Sequence, residues 1–96
     1  MRDEYESNYD RDERGSKVLD ESKLKKIASH DSNLNVRLAA LSKISDQDYL
    51  RSVATHDNNY DIKMAAISRM TNKEYLVSLA TRDDDPRIRL AAVKRL

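Results

Sequence analysis

The sequence predicts an all-α protein: a right-handed α-solenoid made of three 26-residue helix–turn–helix repeats. The first observation behind this prediction is that one residue pattern recurs without a gap in segments 19–44, 45–70 and 71–96. The second is that each segment holds two helix-length stretches around a polar turn, and none alternates apolar and polar residues as a half-buried strand would. A fixed period of this size is typical of stacked repeat proteins.

The first 18 residues lie outside the repeat and are expected to form a disordered, charged N-terminal tail (1–18). They contain four basic and six acidic residues, and their only apolar residues are Met1, Tyr5, Tyr9 and Val18. So few apolar groups cannot offset the conformational entropy that is lost on ordering. The folded domain is therefore predicted to span 19–96.

The first helix of each repeat is predicted to follow a polar N-terminal signal. In the second repeat Ser45 precedes an acidic turn at 46–48, which suits the positive end of a helix dipole. In the third repeat the segment 71–74, Thr-Asn-Lys-Glu, has the spacing of a capping box. The apolar residues form one narrow stripe, so this helix should touch few neighbours and lie on the outside.

A polar turn separates the two helices of each repeat, at 31–33, 57–59 and 83–85. The last turn residue is a good N-cap for the second helix. These predicted caps are Asn33, Asn59 and Asp85. Pro86 follows the last of them, where proline suits the first helical position. The second helix is apolar over a wide arc, which predicts an inner helix that contacts several neighbours.

One basic residue interrupts the apolar arc of each second helix. A charge in such a place needs a partner or lowers stability. Each basic residue lies six positions after an aspartate, and this spacing predicts the pairs Asp31/Arg37, Asp57/Lys63 and Asp83/Arg89.

The motif Asp-x-x-x-x-[Val/Ile]-[Arg/Lys]-[Leu/Met]-Ala-Ala occurs at 31–40, 57–66 and 83–92. It resembles HEAT-like repeats, particularly the short bacterial and archaeal forms and the leucine-rich repeat variant, and the resemblance covers 19–96. It implies that the Asp and basic residues form a structural ladder tying neighbouring repeats together, and that the protein binds or scaffolds others. The period is shorter than the roughly 40 residues of a HEAT unit, so the helices must be short.

The narrower, polar face of the second helices is the expected binding surface. Its candidate partner-binding residues are Lys43, Asp61, Arg69, Arg87, Lys94 and Arg95. One row of this face, Lys43, Arg69 and Arg95, is wholly basic, and the middle row, Ala39, Ala65 and Ala91, leaves room for close approach.

Three interpretations of this face stay open. A non-enzymatic protein-interaction or scaffold module, with a protein partner of unknown identity, is favoured because repeat stacks present extended surfaces. Binding of a nucleic-acid backbone through the basic row is the alternative, although the net charge of only +1 argues against it. The face can also be a solvated surface that keeps the protein soluble.

No catalytic residue, metal ligand or cofactor site is predicted. The chain has no cysteine and no Gly-rich phosphate loop. His30 and His56 align with Arg82, and a cation at a helix C-terminus explains all three. No apolar run is long enough for a membrane span, and there is no signal peptide, so a cytoplasmic location without membrane contact is expected.

The C-terminal end of the predicted stack carries apolar residues without an obvious neighbour. Leu90, Val93 and Leu96 should each be uncovered on one side. Exposed apolar patches favour association. The sequence therefore predicts either self-association through this end or further repeats in a longer parent protein.

Overall fold

The computed structural model describes the backbone of residues 13–96 and the side chains of residues 21–96. Within this part of the chain there are six helices and no strand. The helices are α1 (Glu13–His30), α2 (Leu34–Leu41), α3 (Gln47–His56), α4 (Tyr60–Arg69), α5 (Lys73–Arg82) and α6 (Pro86–Arg95). The all-α prediction is confirmed, with one helix pair in each predicted repeat.

Helix α1 starts earlier than expected. It begins at Glu13, so residues 13–18 are helical although the sequence placed them in a disordered tail. Once a helix is formed, each added residue needs no new nucleation, and here only Gly15 opposes the extension strongly. The rest of the predicted tail, 1–12, lies outside the described residues.

The second helices begin at the predicted caps. Oδ1 of Asn33 accepts a hydrogen bond from the backbone N–H of Val36 at 3.1 Å. Asn59 does the same for Ile62 at 3.1 Å, and Asp85 accepts from Arg87 N–H at 2.8 Å. Pro86 is the first residue of α6. Because these caps involve only neighbouring residues, the local sequence was sufficient to predict them.

The first helices of repeats two and three begin one residue later than the sequence suggested. Their N-caps are Asp46 and Asn72, whose Oδ1 atoms accept from Tyr49 N–H (3.2 Å) and Tyr75 N–H (3.0 Å). The capping box predicted for 71–74 is therefore wrong. Its missing half comes from the preceding repeat, where the Gln47 Oε1 atom accepts from Asn72 N–H at 3.0 Å.

The two helices of each repeat pack against each other, and the second helices also pack against one another, α2 on α4 and α4 on α6. Contact between the first helices is less extensive. The wide apolar arc of the second helices thus does place them between more neighbours than the first helices.

The exposure of equivalent residues shows which edge of each second helix faces which neighbour. Val36 is 42% exposed, whereas its equivalents Ile62 and Ile88 are buried. The reverse holds at the other edge, where Leu41 and Ile67 are buried and Val93 is 54% exposed. One edge therefore packs on the preceding repeat and the other on the following repeat. The expected exposure of the C-terminal apolar residues is confirmed for Leu90, Val93 and Leu96.

Candidate functional site

Two residues of the predicted ladder, Arg37 of the first repeat and Asp57 of the second, contact each other. Arg37 Nη2 lies 2.5 Å from Asp57 Oδ2, and Arg37 Nε donates to the carbonyl of Ala28 at 2.7 Å. Both charged side chains are mostly buried, at 18% and 15% exposed. The pairing of Arg37 with Asp31 by six-residue spacing is therefore wrong, because the arginine reaches into the next repeat.

The ladder aspartates also shape the turns in which they stand. Oδ1 of Asp31, Asp57 and Asp83 accepts from the backbone N–H two residues later, at 2.8, 2.8 and 2.9 Å. This is the local turn that Asp favours. It fixes the carboxylate of Asp57 with Oδ2 directed to the guanidinium of Arg37.

The other ladder positions do not repeat this ion pair. Arg89 Nη1 donates to the backbone carbonyl of Asp83 at 2.7 Å rather than to its carboxylate. Lys63 makes no ion pair with any described residue; it lines a cavity of about 220 Å³ together with the turn at 83–85. An ammonium lacks the planar fork with which the Arg37 guanidinium binds Asp57 and the Ala28 carbonyl together.

The first helices are joined across repeats by a second set of polar contacts. Glu21 Oε2 accepts from the backbone N–H of Asp46 at 3.0 Å, as Gln47 does for Asn72. Lys25 Nζ binds Asp46 Oδ2 at 2.6 Å, and this hydrogen bond lowers the pKa of Asp46 and raises the pKa of Lys25.

The tyrosines of α3 and α5 continue these contacts. The Tyr49 hydroxyl donates to the carbonyl of Lys25 at 3.1 Å. The Tyr75 hydroxyl donates to the carboxylate of Asp48, which raises the pKa of Tyr75, and the Arg51 guanidinium lies 4.3 Å from the Tyr75 ring centroid. Each tyrosine therefore binds the preceding first helix.

Replacing Asp46 by Asn is expected to remove a pH-dependent part of stability while keeping an N-cap side chain. Because the folded-state pKa of Asp46 is lowered, its contribution is present above the unfolded value of about 4 and is lost as the pH falls through the folded-state pKa. The pair is partly exposed, so the loss should stay below about 1 kcal/mol. Unfolding free energies of both proteins at neutral and acidic pH measure it; a difference that does not shrink in acid would contradict the assignment.

Two arginines of the predicted basic row are occupied by the fold. Arg69 donates from Nε and Nη2 to the carbonyl of Ile44, at 3.3 and 3.2 Å. Arg95 Nη2 donates to the carbonyl of Met70 at 2.7 Å. Both carbonyls lie just after the end of a second helix, where a backbone carbonyl has no partner within that helix. A basic residue 25 positions after each such carbonyl was the signal in the sequence that could have revealed this role.

The surface between α4 and α6 forms a groove. Two cavities of about 200 and 220 Å³ adjoin there and share Met64, Ala91 and Lys94 as lining residues. The first also contacts Ile67, and the second contacts Leu90. We call this the α4/α6 groove; its apolar lining residues are Met64, Ile67, Leu90 and Ala91.

Basic side chains line the α4/α6 groove, namely Arg87, Lys94 and Arg95. Arg87 lies 4.1 Å from the Tyr60 ring centroid and binds Asp85 Oδ2 at 2.8 Å, which lowers the pKa of Asp85. The side chain of Lys94 forms no hydrogen bond or ion pair to the residues that the structure describes. It is therefore the cation of the groove with the fewest internal contacts.

The structure divides the predicted partner-binding face. Arg87, Lys94 and Arg95 line the groove, whereas the exposed Lys43 and Asp61 do not. The apolar lining was not predicted as part of a site, because Met64 and Leu90 fit the pattern of ordinary core positions. The Ala row had suggested close approach, and Ala91 does lie in both cavities.

No protein family, curated protein or solved structure matches the chain. Among the described residues, no three His, Asp or Glu side chains are placed to hold a metal ion. None of the helices from Glu13 onward combines the length and the apolar character needed to cross a bilayer. The geometry of the surface is therefore what bears on function.

Proposed function

We propose that the protein is a HEAT-like, right-handed α-solenoid that serves as a non-enzymatic protein-interaction module. Its α4/α6 groove binds a short segment of a partner protein that carries both apolar and acidic side chains. The observation that carries this proposal is an apolar groove lined by three basic residues, open between two neighbouring second helices.

The solenoid part of the proposal is supported by contacts that recur at constant sequence separation. The Glu21–Asp46 and Gln47–Asn72 contacts are both 25 residues apart. The bonds from Arg69 to Ile44 and from Arg95 to Met70 have the same separation. Such nearest-neighbour contacts are what a stack of equivalent repeats requires.

The chemistry of the groove favours a peptide with two kinds of side chain. Met64 and the half-exposed Leu90 offer apolar area, so a Leu, Ile or Phe side chain entering the groove would be removed from water. Lys94, whose ammonium is not engaged by the described residues, lies where a carboxylate beside that anchor would be attracted. An acidic partner also matches the excess of basic over acidic residues in 19–96.

Binding of a nucleic-acid backbone is less well supported. The basic row that suggested it is partly consumed, because Arg69 and Arg95 donate to backbone carbonyls. The lining of the groove is mainly apolar, whereas phosphate contacts need basic and polar donors.

The binding test uses fluorescein-labelled short peptides in which Asp or Glu flank Leu, Ile or Phe, measured by fluorescence anisotropy. We expect binding to the wild type, and we expect Lys94→Glu to weaken it about tenfold, or about 1.4 kcal/mol, because a carboxylate replaces the attracting ammonium. The exposed Lys26→Glu on α1 is the matched control, since it makes the same charge change away from the groove.

Two results would contradict the proposed function. One is equal loss of affinity in the Lys94 and Lys26 variants, which would indicate only long-range charge attraction. The other is the absence of peptide binding together with binding of duplex DNA whose affinity falls steeply with salt, which would favour the nucleic-acid alternative.

A further inference from the structure

We propose that the protein stacks head to tail on a second copy of itself, so that the repeat-to-repeat contact within the chain is continued between chains. The surface at one end, which we call the C-terminal face, consists of Val77, Val93 and Leu96 with Glu74 and Arg89. The surface at the other end, the N-terminal face, consists of Ile27, Val36 and Ala39 with Lys23, Asp31 and Lys43.

The apolar centre of the C-terminal face, Val93 and Leu96, is the uncovered equivalent of two positions that are buried in both earlier repeats. Val93 and Leu96 occupy the positions of Ile67 and Met70, which are buried by the following repeat. In the third repeat both are about half exposed. Val77 is also exposed, and Arg51 at the same position of the second repeat lies against the Tyr75 ring of the following repeat.

The N-terminal face is the uncovered equivalent of the opposite surface. Ile27 and Val36 are exposed, whereas their equivalents in the third repeat, Leu79 and Ile88, are buried by the second repeat. Ala39 is likewise exposed and its equivalent Ala91 is buried. The two ends of the molecule thus carry the two halves of a contact that the chain already makes internally.

The charged residues of the two faces match in the same way. Arg89 is the equivalent of Arg37, and Asp31 is the equivalent of the Asp57 that Arg37 binds. Asp31 uses Oδ1 for its own turn, and Oδ2 forms no bond with the residues that the structure describes. Asp57 makes the same turn bond through Oδ1 and binds the arginine through Oδ2.

Two further pairs fit this arrangement. Within the chain, Asp48 accepts a hydrogen bond from Tyr75 of the following repeat. The third-repeat equivalent of Asp48 is Glu74, and the first-repeat equivalent of Tyr75 is Lys23. Between chains this contact is therefore an ion pair of Glu74 with Lys23. Lys43 is the first-repeat equivalent of Arg69 and Arg95, which donate to the backbone oxygens of Ile44 and Met70. Leu96 is the third-repeat equivalent of Ile44 and Met70, so the backbone oxygen of Leu96 is the acceptor for Lys43 of the next copy.

A contact between two C-terminal faces uses the same apolar residues but leaves Asp31, Lys23 and Lys43 without these partners. The observations therefore favour the head-to-tail contact. Such a contact joins two different surfaces, so it does not close at two copies, and the assembly grows with concentration.

The test measures mass by light scattering at increasing concentration for wild type, Val36→Glu, Val93→Glu and the double variant. Val36 and Val93 are exposed and lie outside the α4/α6 groove, so the variants should keep the fold, checked by circular dichroism, and the peptide binding proposed above. We expect the mass of the wild type to rise with concentration above the 11.1 kDa of one chain, and the mass of each variant to stay at that value.

Mixing the two single variants distinguishes the head-to-tail contact from other contacts. Each variant keeps one intact face, and the two intact faces are complementary, so the mixture should form dimers of twice the single-chain mass and stop there. The double variant has neither face intact. A mixture of the double variant with either single variant should therefore stay monomeric.

Three outcomes would overturn the proposal. A wild type that remains monomeric at all concentrations would show that the two faces do not bind a second copy. A Val36→Glu variant that still forms dimers alone would point to contact between two C-terminal faces. A mixture of the single variants that stays monomeric would show that the two faces do not bind each other.

Discussion

Asp57→Ala should lower the free energy of unfolding by about 3 kcal/mol, because it leaves the mostly buried guanidinium of Arg37 without its carboxylate. The change also removes the acceptor for the backbone N–H of Asn59 in the turn before α4. Loss of an exposed ion pair would cost far less, so the size of the effect reports the burial of this contact. Chemical denaturation monitored by circular dichroism measures it.

Asp31→Ala is the matched control for this prediction. Asp31 holds the same position in the first repeat and makes the same turn bond, to Asn33 N–H, but it has no arginine partner among the described residues. At protein concentrations where the chain is a monomer, its loss should cost about 1 kcal/mol, the value of one hydrogen bond. Equal losses for the two variants would show that Asp57 acts only in its turn and that the contact with Arg37 contributes nothing.

Ile62→Ala should also cost about 3 kcal/mol, since Ile62 is fully enclosed between neighbouring repeats and its truncation leaves a cavity. Val36 occupies the same position in the first repeat but is exposed, so Val36→Ala should change stability by no more than about 0.5 kcal/mol. Both residues are β-branched and occupy the same repeat position. The main difference between them is that a preceding repeat covers Ile62 but not Val36.

Denaturant titrations of both variants, at a protein concentration where light scattering shows a monomer, supply the measurement. If Val36→Ala and Ile62→Ala destabilised the protein equally, the position would contribute within its own repeat rather than at the contact between repeats. That result would remove the main reason for assigning one edge of each second helix to the preceding repeat.

The sequence was a good guide to features set by neighbouring residues. Asn33 and Asn59 were recognisable as caps because their side chains bind the backbone three residues later. It was a poor guide to contacts across repeats. The spacing between Asp31 and Arg37 suggested a pair, but a spacing within one repeat does not show which side chains the next repeat brings near; that residue is Asp57.

The candidate site was predictable to a similar degree. Its basic residues Arg87 and Lys94 were placed on the polar face by helical periodicity alone. The concavity was not predictable, because it depends on the small Ala91 lying between Met64 and Leu90 from two different helices. The role of Arg69 was missed for the same reason: its acceptor is the backbone carbonyl of Ile44 in the preceding repeat.

Side-by-side packing of successive repeats is tested most directly by nuclear Overhauser effects from the tyrosine rings. The chain has five tyrosines and no Phe or Trp, so the aromatic region of its spectrum is sparse. We expect cross-peaks from the Tyr49 ring to Lys25 and Ser29, and from the Tyr75 ring to Asp48 and Arg51. Cross-peaks confined to the helix that carries each tyrosine would contradict the stacked arrangement.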